Sequence, residues 1–470
     1  MIWEKEDKME EECGVIGIYN PGEEVSQDLF YGLFALQHRG QESAGMAVSD
    51  GKKIRLHKAM GLVTEAFSQN EIDSLKGCIG IGHVRYSTTG SSIVQNAQPI
   101  LATYLAGQIA LAHNGNITNA NQLRENLANS GSVFQSSIDT ELIVNLIAKY
   151  GQTDIDESLM KVMIDLKGSY SMVVMNKNKL VGVRDPFGNR PLCIGKLGKN
   201  GYVLASESCA LDTIGATFFR DVEPGEIIVI DEKGITSKRI FPADKKALCI
   251  FEYIYFARPD STIDGINVNV ARKKMGEQLA KEHPLDVDVI IPVPDSGTVA
   301  GIGYAETVGK PFAFGLLKNR YAGRTFIQPT QKIREIGVRL KLNPIKEIIK
   351  GKRVALVDDS IVRGTTSKKI IEMVREAGAK EVHMLITSPP VIKSCYYGID
   401  TAEEDQLAAA KRSIKEVEKI IKADSLNYLS LEGLYNSLGL NQGFCTACFT
   451  GDYPIDISEI EKMQKNNLEN

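Results

Sequence analysis

The stretch Val354 to Thr366, VALVDDSIVRGTT, decides the reading of the chain. Val354 to Val357 form an apolar run too short for a convincing helix and rich enough in β-branched residues for a buried strand. Asp358 and Asp359 follow where that strand ends. Arg363, Gly364, Thr365 and Thr366 then supply a cation, a flexible backbone and two hydroxyls, and Ile370, Ile371, Val374 and Ala377 recur at helical spacing. The pattern predicts a strand, an anion-binding loop and a helix. Backbone N–H groups and the helix N-terminus favour a phosphate there, and the two acids can hydrogen-bond a sugar diol or hold a divalent cation. An acid pair before a glycine also ends ordinary α/β strands, so the pair alone names no ligand.

Taken whole, the thirteen residues resemble the phosphoribosyl diphosphate (PRPP) motif of type I phosphoribosyltransferases. That resemblance implies that Asp358 and Asp359 meet the ribose hydroxyls while Arg363, Gly364, Thr365 and Thr366 cradle the 5′-phosphate. A second strand, Val287 to Val293, runs into Pro294-Asp295-Ser296-Gly297-Thr298 and a small-residue helix, Val299 to Ala305. By itself this is an ordinary strand-to-helix turn that offers N–H groups to an anion. By the same resemblance Asp295, Ser296 and Gly297 seat pyrophosphate, and Ser296, Asp358 and Asp359 lie beside Mg²⁺. Between Lys318 and Asn343 the chain is basic with little periodicity, which suits a solvated connector or a closing lid over a polyanion. Lys318 and Lys341 are the candidate contacts.

Composition narrows the class. At 470 residues the chain has room for two large domains or three smaller ones, and 43% hydrophobic with 24% charged residues is typical of a soluble globular protein. A net charge of −4 argues against a nucleic-acid surface, and no apolar run reaches membrane-spanning length. The first twelve residues carry six acids and lack the basic and apolar regions of a signal peptide, so a cytoplasmic location is expected.

At Cys13-Gly14-Val15-Ile16-Gly17-Ile18 the character changes, and Gly14 to Tyr19 reads as a strand with Cys13 at its start. A lone cysteine there is equally a small buried hydrophobe. Three further clusters bear on it: Gln37-His38-Arg39-Gly40-Gln41-Glu42-Ser43-Ala44-Gly45, the strand-to-loop passage Gly82-His83-Val84-Arg85-Tyr86-Ser87-Thr88, and Ala112-His113-Asn114-Gly115-Asn116, which reads as a tight turn. The set is similar to the class II, N-terminal-nucleophile glutamine amidotransferases. In that family a propeptide, here residues 1–12, is removed and the cysteine's own α-amino group serves as base. A free thiol near ~8.5 is mostly protonated at neutral pH, and an α-amino group near ~7.7–8.0 can take its proton. The resemblance implies Cys13 as nucleophile, Asn114 and Gly115 as oxyanion donors, Arg85 on the glutamine α-carboxylate and Asp139 on its α-ammonium. Asp139, ahead of Glu141-Leu142-Ile143-Val144, is also a plausible helix-start residue.

Eight cysteines in so long a chain do not make a disulfide scaffold. Cys445-Thr446-Ala447-Cys448 has a spacing open to zinc, a redox dithiol or an iron–sulfur cluster. The phrase Cys249 to Ser261, CIFEYIYFARPDS, looks like the domain junction of glutamine PRPP amidotransferases. In their iron–sulfur subclass, ligands fall at positions matching Cys249 and Cys395, which with Cys445 and Cys448 implies a 4Fe-4S cluster. Cys78, Cys193 and Cys209 show no ligand spacing and read as core. Residues Ala402 to Ala423 read as one amphipathic helix.

The expected architecture is a two-domain α/β and α+β chain: a four-layer N-terminal-nucleophile hydrolase domain over 13–245, and a type I phosphoribosyltransferase parallel-sheet domain over 246–470 that includes C-terminal helices and the cluster segment. The implied reaction is glutamine hydrolysis by Cys13 and transfer of ammonia to C1 of PRPP, giving 5-phosphoribosylamine, pyrophosphate and glutamate, the first committed step of purine synthesis. The resemblance further implies purine nucleotide feedback inhibitors and a homo-oligomer, a homotetramer, without nucleic-acid or membrane partners. An aminosugar-phosphate synthase would lack VALVDDSIVRGTT, and a PRPP-sensing DNA-binding regulator would not carry the Cys13 clusters.

Overall fold

The computed structural model describes residues 13–86, 92–151, 154–241, 246–319 and 342–458. Its first unit is two antiparallel sheets. The seven-stranded sheet runs Thr217–Asp221, Cys193–Leu197, Gly201–Ala205, Gly14–Tyr19, Ile79–Arg85, Ser43–Ser49, Ile54–Met60, so the strand that follows Cys13 is central. The six-stranded sheet runs Gly234–Arg239, Glu226–Asp231, Leu180–Arg184, Gly168–Met175, Gly107–Ile117, Ile100–Tyr104. Strand alternation places the layers. Val15 and Tyr19 face Ala110, Val173 and Leu180 between the sheets, whereas Ile16 and Ile18 face Leu29 and Leu33 of helix Ser26–Ala35 on the outside. Helices Asp139–Tyr150 and Ile155–Asp165 cover the other sheet. This is the expected four-layer arrangement, two sheets between helices.

The second unit is a parallel sheet in the order Val289–Pro292, Arg353–Asp358, Glu381–Ile386, Ser425–Tyr428. Ala355 and Val357 face the core under helices Val268–Glu282 and Thr298–Val308. Val354 and Leu356 face that under Thr365–Glu376 and Ile414–Ile421. Burial on both faces explains the continuous apolar run of the central strand.

Two local expectations change. Residues 112–116 are not a turn: His113 to Ile117 continue the Gly107–Ile117 strand, pairing Asn114 with Ser171 and Gly115 with Tyr170. His113, Asn114, Gly115 and Asn116 carry no apolar side chain themselves, so no hydrophobic alternation marks the pairing. The helix read over Ala402–Ala423 is confined to Ile414–Ile421, preceded by one short turn, Glu404–Gln406. Ser413 and Glu416 form a reciprocal capping box that starts the helix there. Among the described residues no helix is long and apolar enough to cross a membrane.

Candidate active sites and the cysteine cavity

Cys13 stands one residue before the central strand. Its Sγ donates to the Tyr86 carbonyl at 3.4 Å, and its own carbonyl accepts from Arg39 Nε at 3.3 Å. Burial pushes the thiol up to about 11, and among the charges it senses are Arg85, Glu42 and Asp139. Two of these, Arg85 and Asp139, are sequence-predicted site residues; the strand register brings Arg85 beside Cys13, and a helix supplies Asp139. Arg85, at the end of the neighbouring strand, is buried and pairs through Nη1 with Glu42 Oε1 at 2.6 Å. Glu42 carries a carboxylate of the kind a glutamine backbone would present to the same guanidinium.

Asp139 is the first residue of helix Asp139–Tyr150, one position after the cap residue Ile138. Its carboxylate faces His113 Nδ1 at 3.5 Å and accepts the Ile117 N–H at 3.2 Å. Burial works to raise its pKa, and His113 with these hydrogen bonds outweighs that and holds it below the usual carboxylate range. His83, whose Nε2 meets the His113 carbonyl at 3.1 Å, is driven by burial down to about 3 and is neutral. Asn114 is buried, and its Nδ2 has no hydrogen-bond partner among the described residues. A buried amide donor without an acceptor carries a desolvation cost of about 1–3 kcal/mol, which an oxyanion would relieve. Gly115 has φ +137°, and a Cβ there would lie 2.0 Å from the Ser169 carbonyl oxygen, so only glycine fits this close pairing.

In the parallel sheet Asp358 and Asp359 are buried at the end of the Arg353–Asp358 strand. Asp358 Oδ1 accepts from Ser296 Oγ at 3.2 Å and from the Asp359 N–H at 2.9 Å, and Asp359 Oδ2 accepts from Ser360 Oγ at 2.6 Å. The two strand ends predicted to share a ligand are thus joined through Ser296 and Asp358. Gly364, with φ +83°, caps helix Thr365–Glu376 without a side-chain cap bond, leaving the turn to backbone donors. Arg363 Nε reaches Gln406 Oε1 at 3.4 Å. Asp295 and Gly297 lead into helix Thr298–Val308, with Gly297 as its N-terminal cap. Lys318 reaches this loop, Nζ to Asp295 Oδ2 at 2.9 Å, both exposed. Lys341 lies outside the described residues, as do residues 1–12.

The four predicted cluster cysteines line one cavity with Asn189 and Tyr397. Cys249 and Cys445 pair across the parallel strands Leu248–Cys249 and Phe444–Cys445, and Cys395 Sγ accepts the Tyr397 N–H at 3.3 Å. Burial raises the thiols of Cys249 and Cys448 well above the ordinary value and that of Cys445 to about 12, and the neighbouring cysteines add to each shift. Arg190 opposes it at Cys249 and Cys445. Such thiols become thiolates only with a cation among them. Among the described residues no group of three or more His, Cys, Asp or Glu is arranged to hold a metal ion. Cys193 and Cys209 are buried in the first unit, and Cys78 packs against its inter-sheet core.

Sequence reading missed a buried polar assembly at the junction. Arg39 donates to Glu207 Oε1 at 2.5 Å and to Glu252 Oε1 and Oε2 at 2.6 and 3.1 Å. Glu207 also meets His38 at 2.6 Å, Ser261 Oγ at 2.6 Å and the Arg258 N–H at 2.9 Å. Its only sequence signal was the presence of Arg39 and Glu252 inside the two quoted motifs.

The comparisons agree with this geometry. Residues 83–213 match the model of the glutamine amidotransferase domain, and residues 266–389 that of the phosphoribosyl transferase domain. The amidophosphoribosyltransferase of Bacillus subtilis is 50% identical over 455 residues, covering 96% of this chain and 95% of the relative. That of Archaeoglobus fulgidus is 51% identical over 451 residues, covering 95% and 98%. A solved structure described as the allosteric regulatory enzyme of purine biosynthesis superposes with a TM-score of 0.91 at 49% identity, covering 95% of this chain and 97% of that one. The B. subtilis glutamine PRPP amidotransferase complexed with ADP and GMP gives 0.90 at 49% identity, covering 95% and 98%. The chain belongs to the amidophosphoribosyltransferase family, glutamine-dependent pentosyltransferases that catalyse the first step of purine biosynthesis.

Proposed function

We propose that the units 13–245 and 246–470 divide the family reaction between them, with the residues in the following roles. Removal of residues 1–12 leaves Cys13 with a free α-amino group. The observation that carries this reading is the half-buried thiol of Cys13, held on the Tyr86 carbonyl at 3.4 Å and raised to about 11, with Arg85 and Asp139 among the charges it senses. A thiol held that firmly protonated needs a base beside it, and an α-amino group on the same residue supplies one. Arg85 exchanges Glu42 for the glutamine α-carboxylate, and Asp139 takes the α-ammonium. Cys13 attacks the amide carbon, Asn114 Nδ2 and the Gly115 N–H hold the oxyanion, ammonia leaves, and water releases glutamate from the thioester.

In the second unit Asp358 and Asp359 hold the ribose diol of PRPP, and Arg363, Gly364, Thr365 and Thr366 hold its 5′-phosphate. Asp295, Ser296, Gly297, Lys318 and Lys341 hold the pyrophosphate. Ammonia displaces that pyrophosphate at C1, a step that positioning and charge stabilisation carry. The oxygen donors of Ser296, Asp358 and Asp359 suit Mg²⁺, which is commonly completed by water and substrate phosphates instead of an all-protein cage. When bound it neutralises the leaving pyrophosphate.

Cys249, Cys395, Cys445 and Cys448 suit a 4Fe-4S cluster, since one cavity collects four thiols without an acid among its lining residues. When bound it supplies a structural tie. The enzyme is cytoplasmic, assembles as a homotetramer and is inhibited by purine nucleotides, in keeping with the nucleotides in the B. subtilis complex. Intact-protein mass with parallel glutamate and phosphoribosylamine assays tests the central claim: active enzyme beginning at Cys13 is expected, and full activity with residues 1–12 attached overturns it.

A further inference from the structure

The first unit does not complete its own nucleophile site. Arg39 is fully buried, and among the described residues its guanidinium reaches the Cys13 carbonyl through Nε at 3.3 Å, Glu207 through Nη1, and both carboxylate oxygens of Glu252. Glu207 belongs to the first unit. Glu252 does not. It opens the π-helical segment Glu252–Phe256, just after the Leu248–Cys249 strand that pairs with the C-terminal part of the chain. That segment is itself fastened to the second unit. Arg272, in helix Val268–Glu282, donates through Nε to the Tyr253 carbonyl and through Nη2 to the carbonyls of Tyr255 and Ala257, all at 2.8 Å.

A bidentate carboxylate fixes both the plane and the distance of a guanidinium. With Glu252 in place, Nε is directed at the Cys13 carbonyl, 3.3 Å away. We propose that Glu252 is a positioning residue for the glutaminase: acting through Arg39, it holds the backbone of Cys13 at the geometry that attack on the amide requires, and so supplies from the second unit a part that the first unit lacks. Glu207 alone cannot do this, because it shares its carboxylate with His38, Ser261 and the Arg258 N–H. The inference rests on Cys13 being the nucleophile, as proposed above.

The test is Glu252→Gln in the full-length enzyme, with Cys13→Ala as reference. The amide keeps the shape and one acceptor but loses the charge. A displacement of the nucleophile by a fraction of an ångström costs on the order of 10- to 100-fold in rate. Glutamine-dependent kcat is therefore expected to fall by about that factor with KM for glutamine little changed, because Arg85 and Asp139 are untouched. Phosphoribosylamine formation from ammonium salts should stay near the wild-type rate, and alkylation of Cys13 by iodoacetamide should slow. A role confined to folding would lower both activities together and leave their ratio alone, and that result overturns the proposal. If Glu252→Gln yields no folded protein, Glu252→Asp carries the same comparison: the charge is kept, the reach is shortened, and a normal ratio again overturns it. Cys13→Ala that retains glutaminase would instead overturn the parent reading, so the two failures are distinguishable.

Discussion

Gly398 packs directly on Gly115: a Cβ added at Gly398 would lie 3.0 Å from the Gly115 carbonyl carbon and 3.1 Å from Arg190 Nη2. The contact is one of several by which residues 396–398 brace the end of the Gly107–Ile117 strand and its neighbour Gly168–Met175. Asn116 Nδ2 donates to the Tyr396 carbonyl at 2.8 Å, and Ser169 Oγ and Arg190 donate to that of Tyr397. Gly398 also sits at φ +107°, where a side chain is strained by about 1–3 kcal/mol. Gly398→Ala is expected to lower the glutamine-dependent rate at least tenfold while the ammonia-dependent rate holds. Paired rate assays and a thermal melt check this.

Asn114→Ala removes one proposed oxyanion donor. Such donors are worth about 100- to 1,000-fold in kcat. Glutaminase activity should fall by that factor and ammonia-dependent synthesis should survive; equal loss of both would reject the assignment.

Replacing Asp358 and Asp359 together by Asn keeps the shape of the loop and removes both charges. Phosphoribosylamine formation from either nitrogen source should disappear, with basal glutamate release still measurable. Isothermal titration with PRPP in the presence of Mg²⁺ should show the lost binding directly.

Asp221 gives the pH signature of the junction. Burial pushes its carboxyl up to about 6, with Asp264 adding and Arg184 and Lys246 opposing. A folded-state pKa above the unfolded value contributes stability that is complete below pH ~4 and is lost as pH rises through about 6. Asp221→Asn should therefore be more stable than the parent at pH 8 by about 3 kcal/mol. The gain should shrink through pH 6 and vanish near pH 4 in denaturant titrations. A gain independent of pH would assign it to some other cause.

The cysteine cavity makes a spectroscopic prediction. Protein purified without oxygen should be brown and hold about four irons per chain. Cys448→Ser should lose most of the iron and the broad thiolate-to-iron absorbance, and melt at lower temperature. Colourless, zinc-loaded protein of full stability would refute the cluster.

How much of this was legible depended on the range of the forces involved. The Gly14–Tyr19 strand and the strand ending at Asp358 announce themselves because burial on both faces demands contiguous apolar residues, and each was found within a residue of its expected limits. The Gly107–Ile117 strand was only half readable. Its first part is apolar, but His113, Asn114, Gly115 and Asn116 break the apolar pattern, and such residues look like a turn. The helix start at Ile414 was hidden because Leu407, though buried, lies in irregular chain ahead of the Ser413 cap and still satisfies helical spacing. The Arg39, Glu207, Glu252 and Arg272 assembly was beyond reach. Its members lie far apart in the chain, and no local rule says that a charge will be buried until its partner is known.

The pairing of Leu248–Cys249 with Phe444–Cys445 carries a consequence for biosynthesis. During synthesis the first unit can leave the ribosome and fold its two sheets while the second is still being made. Cys249 emerges early and waits. The strand that pairs with it, and two of the four cysteines of its cavity, come after all four strands of the parallel sheet in chain order. The residues that brace the Gly107–Ile117 strand, Tyr396 to Gly398, directly follow Cys395 of the same cavity. The Cys249 cavity thus closes only when the Phe444–Cys445 strand has been made, and a chain cut before Phe444 loses both that pairing and two of the four thiols.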